Sequence, residues 1–243
     1  MASIDNESSA DEMAALTAAV RRIRIIRRAP SPPKEVAAGA AVELMAAAAT
    51  AAPATTTLYD RITAHYNAAL APLDVATVGG GAIRSARGEL VEGMIDIICE
   101  SIGLTAKKGT TDMQTVTIER GGKVFNLQHQ VDRHIYRDDK LVAIVECKAY
   151  LDSCYYVRAC SDFKRMKIAH PDIRCFVFAL ENSISEESKV FTDVETDDVC
   201  DGVFYMCDGK RSSSKPIYEK KYYKAINPDK FAEFISTMQS LLL

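Results

Sequence analysis

Two short runs in this sequence are apolar on both faces: Leu141-Val142-Ala143-Ile144-Val145 and, Arg174 apart, Ile173 to Leu180 in "IRCFVFAL". A strand sends successive side chains to opposite faces, so a strand apolar at both parities must be covered from both sides. The arrangement that does this is a central sheet between layers of helices. Helical periods are present to supply those layers. Over 85–103, Val91, Met94, Ile95, Ile98 and Ile102 form one stripe, with Glu89, Glu92, Asp96 and Glu100 opposite. Ser85 reads as its N-cap and Gly103 as its C-cap. "YYVRACSDFKRMKI" places Tyr156, Ala159, Cys160, Phe163 and Met166 on one side. At the C-terminus, Asn227 caps and Pro228 opens a helix striped by Phe231, Phe234, Ile235, Met238 and Leu242.

Between these helices lie further strand signals. "QTVTIERGGKVFNL" reads as a hairpin around Gly121-Gly122. "LQHQVDRHIY" and "KLVAIVECK" flank a second turn in "RDDK", and "DGVFYMC" over 202–207 is another strand. The expected order is helix, three antiparallel strands, helix, strand, strand, helix: an α/β fold with a central mixed sheet. "AKKGTTD" over 106–112 reads as a basic loop.

Residues 1–57 differ from the rest. An Arg-bearing run with Arg21, Arg22, Arg24, Arg27 and Arg28 is broken by "APSPPK" and followed by an Ala-rich stretch with few large side chains to bury. They are expected to form an arm, helical or partly disordered, ahead of a packed domain over 58–243. The Ala-rich stretch carries Glu43 and is a poor membrane span. Asp5, Glu7, Asp11 and Glu12 are the wrong charge for a secretory or mitochondrial leader. The seven cysteines show no CxxC spacing and read as reduced side chains. Together these predict a soluble, intracellular, cytoplasmic protein. The formal net charge of −3 removes the simplest argument for nucleic acid, although a local basic patch needs no basic total.

The apolar strand at 141 ends unexpectedly, in Glu146-Cys147-Lys148. Burying an acid and a base costs several kcal/mol each unless they pair or bind something. By alternation Glu146 and Lys148 share a face, and the back face takes Leu141, Ala143, Val145 and Cys147. Asp132 lies on the preceding strand. A two-residue turn at Asp138-Asp139 would pair 132 with 145 and point Asp132 away. A longer loop or a bulge would pair 132 with 146 and bring both carboxylates to one face. In that register, Asp132, Glu146 and the backbone carbonyl of Cys147 offer hard oxygen ligands suited to Mg²⁺. Lys148 would stand beside them to orient or help deprotonate a water.

Asp132 followed by Glu146-Cys147-Lys148 resembles the PD-(D/E)xK nuclease superfamily, and within it most resembles a type II restriction endonuclease. The resemblance covers roughly residues 85 to 207. It implies a restriction-endonuclease-like αβββαβ core with a central mixed sheet flanked by helices. Asp132 and Glu146 would be metal ligands and Lys148 the catalytic lysine. A glutamate of the first core helix would join them: Glu92, with Glu89 as its alternative. The residue before Asp132 is Val131 where the pattern often has proline. The implied activity is Mg²⁺-dependent cleavage of double-stranded DNA at a short sequence, leaving 5′-phosphate and 3′-hydroxyl ends, by a homodimer. A repair or junction-resolving nuclease, or a non-catalytic DNA-binding protein, would share the fold.

Weaker signals surround this corner. Lys107, Lys108, Lys164, Arg165 and Lys167 are candidate phosphate contacts or solvated faces. "DGKRSSSKPIYEKKYYK" interleaves cations with tyrosine, as a groove-reading segment or a functional insertion would. Glu181, Glu186, Glu187, Glu195, Asp197 and Asp198 are expected to face away from DNA. His134 reads as structural, or as a side chain shaping the site. No glycine loop for a nucleotide is present, and no nucleotide cofactor is expected.

Overall fold

The computed structural model describes residues 56–70, 80–185, 188–191, 199–212, 214–215 and 220–243. The expected arm, its last two residues aside, lies outside them. So do Glu186, Glu187, Glu195, Asp197 and Asp198. Helices α1 (Leu58–Leu70) and α2 (Gly80–Ile102) come first, then strands β1 (Thr105–Lys108), β2 (Gln114–Arg120), β3 (Lys123–His129), β4 (Arg133–Arg137) and β5 (Lys140–Leu151). Helix α3 (Ser153–Ala169), strands β6 (Arg174–Asn182) and β7 (Gly202–Tyr205) and helix α4 (Pro228–Ser240) complete the domain.

The central sheet has five strands in the order β1-β4-β5-β6-β7. β1, β4 and β5 are antiparallel, whereas β5, β6 and β7 are parallel. The sheet is mixed and helices cover both faces, as the doubly apolar strands require. Ala143, Val145, Cys147, Phe176, Phe178 and Leu180 pack against α1, α2 and α4. Ile144, Cys175, Val177 and Ala179 pack against α3 through Tyr156, Ala159, Cys160, Phe163 and Met166. None of the described helices is long and apolar enough to cross a membrane.

Several expectations need correction. The third antiparallel strand of the sheet is Thr105–Lys108, read above as the start of a loop. A short edge strand rich in lysine lacks the apolar alternation that marks a strand. The β2–β3 hairpin turns at Gly121-Gly122 as expected, but it forms a separate two-stranded sheet. It lies on α3 through Val116 and Ile118 and leaves Val124, Phe125 and Leu127 exposed. Helix α2 starts before Ser85, at Gly80, and stops where Gly103 takes φ 83°. Leu141 packs on the α3 side, not with Ala143, because the strand bulges beside it.

Candidate active site

β5 outruns its neighbour. Its pairing with β4 ends at Arg133↔Val145, while its pairing with β6 continues to Leu151↔Asn182. The far half of β5 therefore has one open edge, and Glu146 and Lys148 stand at its start. The register that brings Asp132 to them arises from a turn and a bulge together. Asp138 and Asp139 adopt φ 48° and 62°, the left-handed pair that a tight two-residue hairpin turn needs. Arg137 thus pairs with Lys140 and Tyr136 with Leu141. A bulge then shifts the ladder by one, so that Ile135 meets Ala143 and Arg133 meets Val145. Val142 is the extra residue, and it packs on the same side as Ala143. Arg133 accordingly points to α2, and Asp132 takes the parity of Glu146.

The result is a convergence. The Lys148 ammonium lies 2.5 Å from Glu146 Oε1 and 3.1 Å from Asp132 Oδ2, and it donates to the Cys147 carbonyl at 3.2 Å. The three oxygens expected to hold a metal ion thus surround one positive centre. Burial pushes the Glu146 carboxyl above its ordinary value, and the nearby Asp132 charge pushes the same way, against the pull of Lys148. Burial opposes the charge on Lys148, but Glu146 and Asp132 outweigh it and hold the ammonium above the usual lysine value.

Asp132 is fixed from several directions. Its Oδ2 accepts the Cys147 backbone N–H at 2.8 Å, on the edge that β4 leaves open. Its carbonyl accepts the Gly109 N–H at 3.3 Å. A Cβ at position 109 would fall 1.8 Å from the Val131 carbonyl oxygen, so only glycine allows this approach. Next door, the Val131 N–H donates to His134 Nε2 at 3.2 Å. That bond makes Nδ1 the protonated nitrogen, and Nδ1 donates to Asp112 Oδ2 at 3.1 Å. Tyr136 donates to the same carboxylate at 2.5 Å. His134 thus shapes the site by holding the chain just before Asp132. Gly109 and Asp112 were missed in the sequence because their partners lie far along the chain; a glycine and an aspartate in a turn carry no other mark.

These side chains open on a cleft of about 320 Å³ lined by Gly88, Glu92, Asp132, Glu146, Lys148 and Arg158, among others. Glu92 stands on its wall, and Glu89 is not among the lining residues. Glu92 reaches from the helix layer on the other face of the sheet. Arg133 Nη1 donates to its Oε2 at 2.6 Å, while the same guanidinium binds Asp96. Among the described residues, no three His, Cys, Asp or Glu side chains form a metal-holding group. The donor set nevertheless fits Mg²⁺, which commonly takes one or two carboxylates and completes its shell with water and phosphate oxygens.

The basic residues singled out in the sequence are scattered. Lys107 lies over the Tyr136 ring at 4.1 Å, and Lys108 is 3.9 Å from Glu92. On α3, Lys164 is exposed, Arg165 pairs with Asp162 and Lys167 with Asp201. None of the five lines the cleft, whereas Arg158 does. Glu181 corrects an expectation: it does not face outward but is buried between Arg87 and Lys224.

Comparison with known proteins finds two restriction enzymes. Over 129 residues the chain is 27% identical to the type II restriction enzyme DdeI of Desulfomicrobium norvegicum. The chain is distantly similar to a type II restriction enzyme. The match covers 46% of this chain and 52% of that enzyme, so the chain spans about half the length of the curated relative it matches. The solved structure of the native BbvCI A2B2 tetramer superposes with a TM-score of 0.39 at 11% identity, covering 86% of this chain and 93% of the other. No family model matches. The sequence similarity and the order α2-β1-β4-β5-α3-β6 support a restriction-endonuclease-like fold.

Proposed function

We propose that this protein is a type II restriction enzyme, a Mg²⁺-dependent endonuclease that hydrolyses phosphodiester bonds of double-stranded DNA at a short specific sequence. The observation that carries this reading is the meeting of Asp132 Oδ2, Glu146 Oε1 and the Cys147 carbonyl around the Lys148 ammonium. Those oxygens would hold Mg²⁺, which when bound neutralises phosphate charge and acidifies water. Lys148 lies within reach of the same point. Its ammonium donates to a phosphate oxygen and offsets the charge that builds on it as the new bond forms. Where the two carboxylates are neutralised, the raised lysine pKa relaxes towards its usual value, and the amine can orient the attacking water. The water oxygen forms a bond to phosphorus and loses a proton. The bond from phosphorus to the 3′ oxygen breaks and that oxygen gains a proton, leaving 5′-phosphate and 3′-hydroxyl ends. Arg133 holds Glu92 on the cleft wall, where it adds negative charge beside the metal ligands.

Cutting both strands of a palindrome asks for two copies related by a two-fold axis, and we propose a homodimer. The test is incubation of the full chain with a plasmid of known sequence and Mg²⁺, with sizing by light scattering. Discrete bands support the reading. Cutting confined to branched DNA replaces it with a junction-resolving or repair nuclease. No cutting with Mg²⁺ or Mn²⁺ leaves a non-catalytic DNA-binding protein of the same fold.

A further inference from the structure

A second cavity, of about 210 Å³, adjoins the cleft. Arg87 lines it, while its neighbour Gly88 lines the cleft. Tyr150 lines the cleft, and Arg211, whose guanidinium lies 4.4 Å over the Tyr150 ring, lines the cavity. The two spaces therefore share a wall.

The cavity is a built one. At its floor Arg87 and Lys224 close on Glu181 at 3.3 and 3.6 Å, with Arg87 and Glu181 both buried. Lys224 also donates to the carbonyls of Asp208, Gly209 and Lys210, and so fixes the turn that carries the rim. The rim adds Lys210, Arg211, Lys215 and Lys221, so that among the described residues lining the cavity six are cationic and one, Glu181, is a carboxylate. Among the described residues Lys210 and Lys215 form no ion pair, and both are exposed. Lys215 and Lys221 lie 5.5 and 4.8 Å from the Tyr222 ring. In a chain of formal net charge −3, such a concentration of cations is a local device. Its size is below the roughly 300–1,000 Å³ of ordinary small-molecule pockets. It matches a phosphate with its sugar, and Tyr222 offers a ring for stacking.

We propose that this cavity receives a backbone phosphate of the DNA strand flanking the scissile one, and so sets the register of the duplex in the cleft. The proposal rests on reading the cleft as a DNA-cutting site. It gives Lys210 and Lys215 the role of a phosphate clamp.

The test uses the full chain, a short fluorescein-labelled duplex and buffer containing EDTA, with anisotropy followed across NaCl concentrations. Lys210→Ala with Lys215→Ala should weaken binding about tenfold or more. Each lysine that reaches a phosphate accounts for about one unit of the slope of log affinity against log salt, so the slope should become shallower by about two. Lys210→Arg with Lys215→Arg should restore both, and melting temperatures should be equal in all three proteins because both positions are exposed. An unchanged affinity and slope in the alanine variant overturns the clamp. So does inorganic phosphate bound by the wild type with duplex binding unaffected by the variant, which would mark a free-anion pocket. Plasmid cleavage by the wild type is scored separately. Cleavage with an unaffected variant sinks the clamp alone. No cleavage with a weakened variant sinks the nuclease reading alone and leaves a DNA clamp. A wild-type chain that binds no duplex sinks both.

Discussion

Replacing Lys148 with methionine keeps the length of the stem and removes the charge from the middle of the candidate site. In the wild-type chain the Lys148 side chain is 21% exposed, that of Glu146 10% and that of Asp132 30%. Taking away one partner of a fully buried ion pair costs about 3–5 kcal/mol. Water reaches this corner and screens it, so a loss nearer 1–2 kcal/mol is expected in metal-free buffer. The informative measurement is what Mg²⁺ then does. In the wild type an ion must displace the ammonium from the oxygens it already touches. In Lys148→Met nothing competes, and two unpaired carboxylates attract the ion. A tenfold gain in ion affinity adds about 1.4 kcal/mol of stabilisation at a saturating concentration. For a chain of this size that is roughly 3–6 °C of melting temperature. The assay is calorimetry of EDTA-stripped protein, with and without MgCl₂. The variant should start lower, gain more from Mg²⁺ than the wild type, and cut no plasmid. Equal Mg²⁺ shifts in the two proteins, or none in either, would refute the claim that ion and ammonium share one set of oxygens. Wild-type cleavage by the variant would refute the role given to Lys148.

Gly109→Ala places a methyl group against the Val131 carbonyl, where a Cβ would sit 1.8 Å away. It should cost about 1–3 kcal/mol by urea denaturation and lower plasmid cutting more than stability alone explains, because the chain next to Asp132 moves. The pH dependence of stability should carry the mark of His134. Burial lowers its pKa below 6.5, partly offset by Asp112. Above 6.5 it is neutral whether folded or unfolded. As pH falls from 6.5 through the lower folded value, the unfolded chain binds the proton first and stability is lost. Melting temperature should fall over that window, and His134→Gln should flatten the fall without removing it, since half-buried His65 is shifted the same way.

The parts of the fold legible in the sequence were those written in local periodicity. The stripe over Val91, Met94, Ile95 and Ile98 is fully buried in α2, and the doubly apolar runs became β5 and β6. The pairing of Glu146 with Lys148 follows from alternation alone. The position of Asp132 did not, because two registers were open and the deciding residue, Val142, is an apolar residue among apolar residues. Nothing about it announces a bulge. β1 was hidden because its hydrogen bonds to β4 stabilise a segment whose side chains read as loop. The β2–β3 hairpin was misplaced for the opposite reason: Val116 and Ile118 alternate like core residues, and their partner is a helix, not the sheet. Glu181 looked like part of an acidic surface because the two cations that bury it come from positions 87 and 224. Local patterns name elements, while the partners that decide burial are set by the tertiary fold.

Asp132 has two duties that a pair of substitutions can separate. Beyond Val145 the edge of β5 has no strand beside it, and the N–H of buried Cys147 would face that gap. The Asp132 carboxylate accepts it at 2.8 Å, so this side chain finishes the sheet edge as well as contributing to the site. Asp132→Asn keeps a carbonyl oxygen for that bond and removes the charge. Its stability should stay within about 1 kcal/mol of the wild type, while cleavage falls more than about a hundredfold and the Mg²⁺ titration shifts to higher concentration. Asp132→Ala leaves the buried N–H unsatisfied and should cost a further 1–3 kcal/mol or so, with the same loss of activity. Equal stability of the two variants would mean that Cys147 does not depend on Asp132. An unchanged Mg²⁺ titration in Asp132→Asn would mean that the carboxylate only closes the edge of the sheet, and the metal reading of this corner would fall with it.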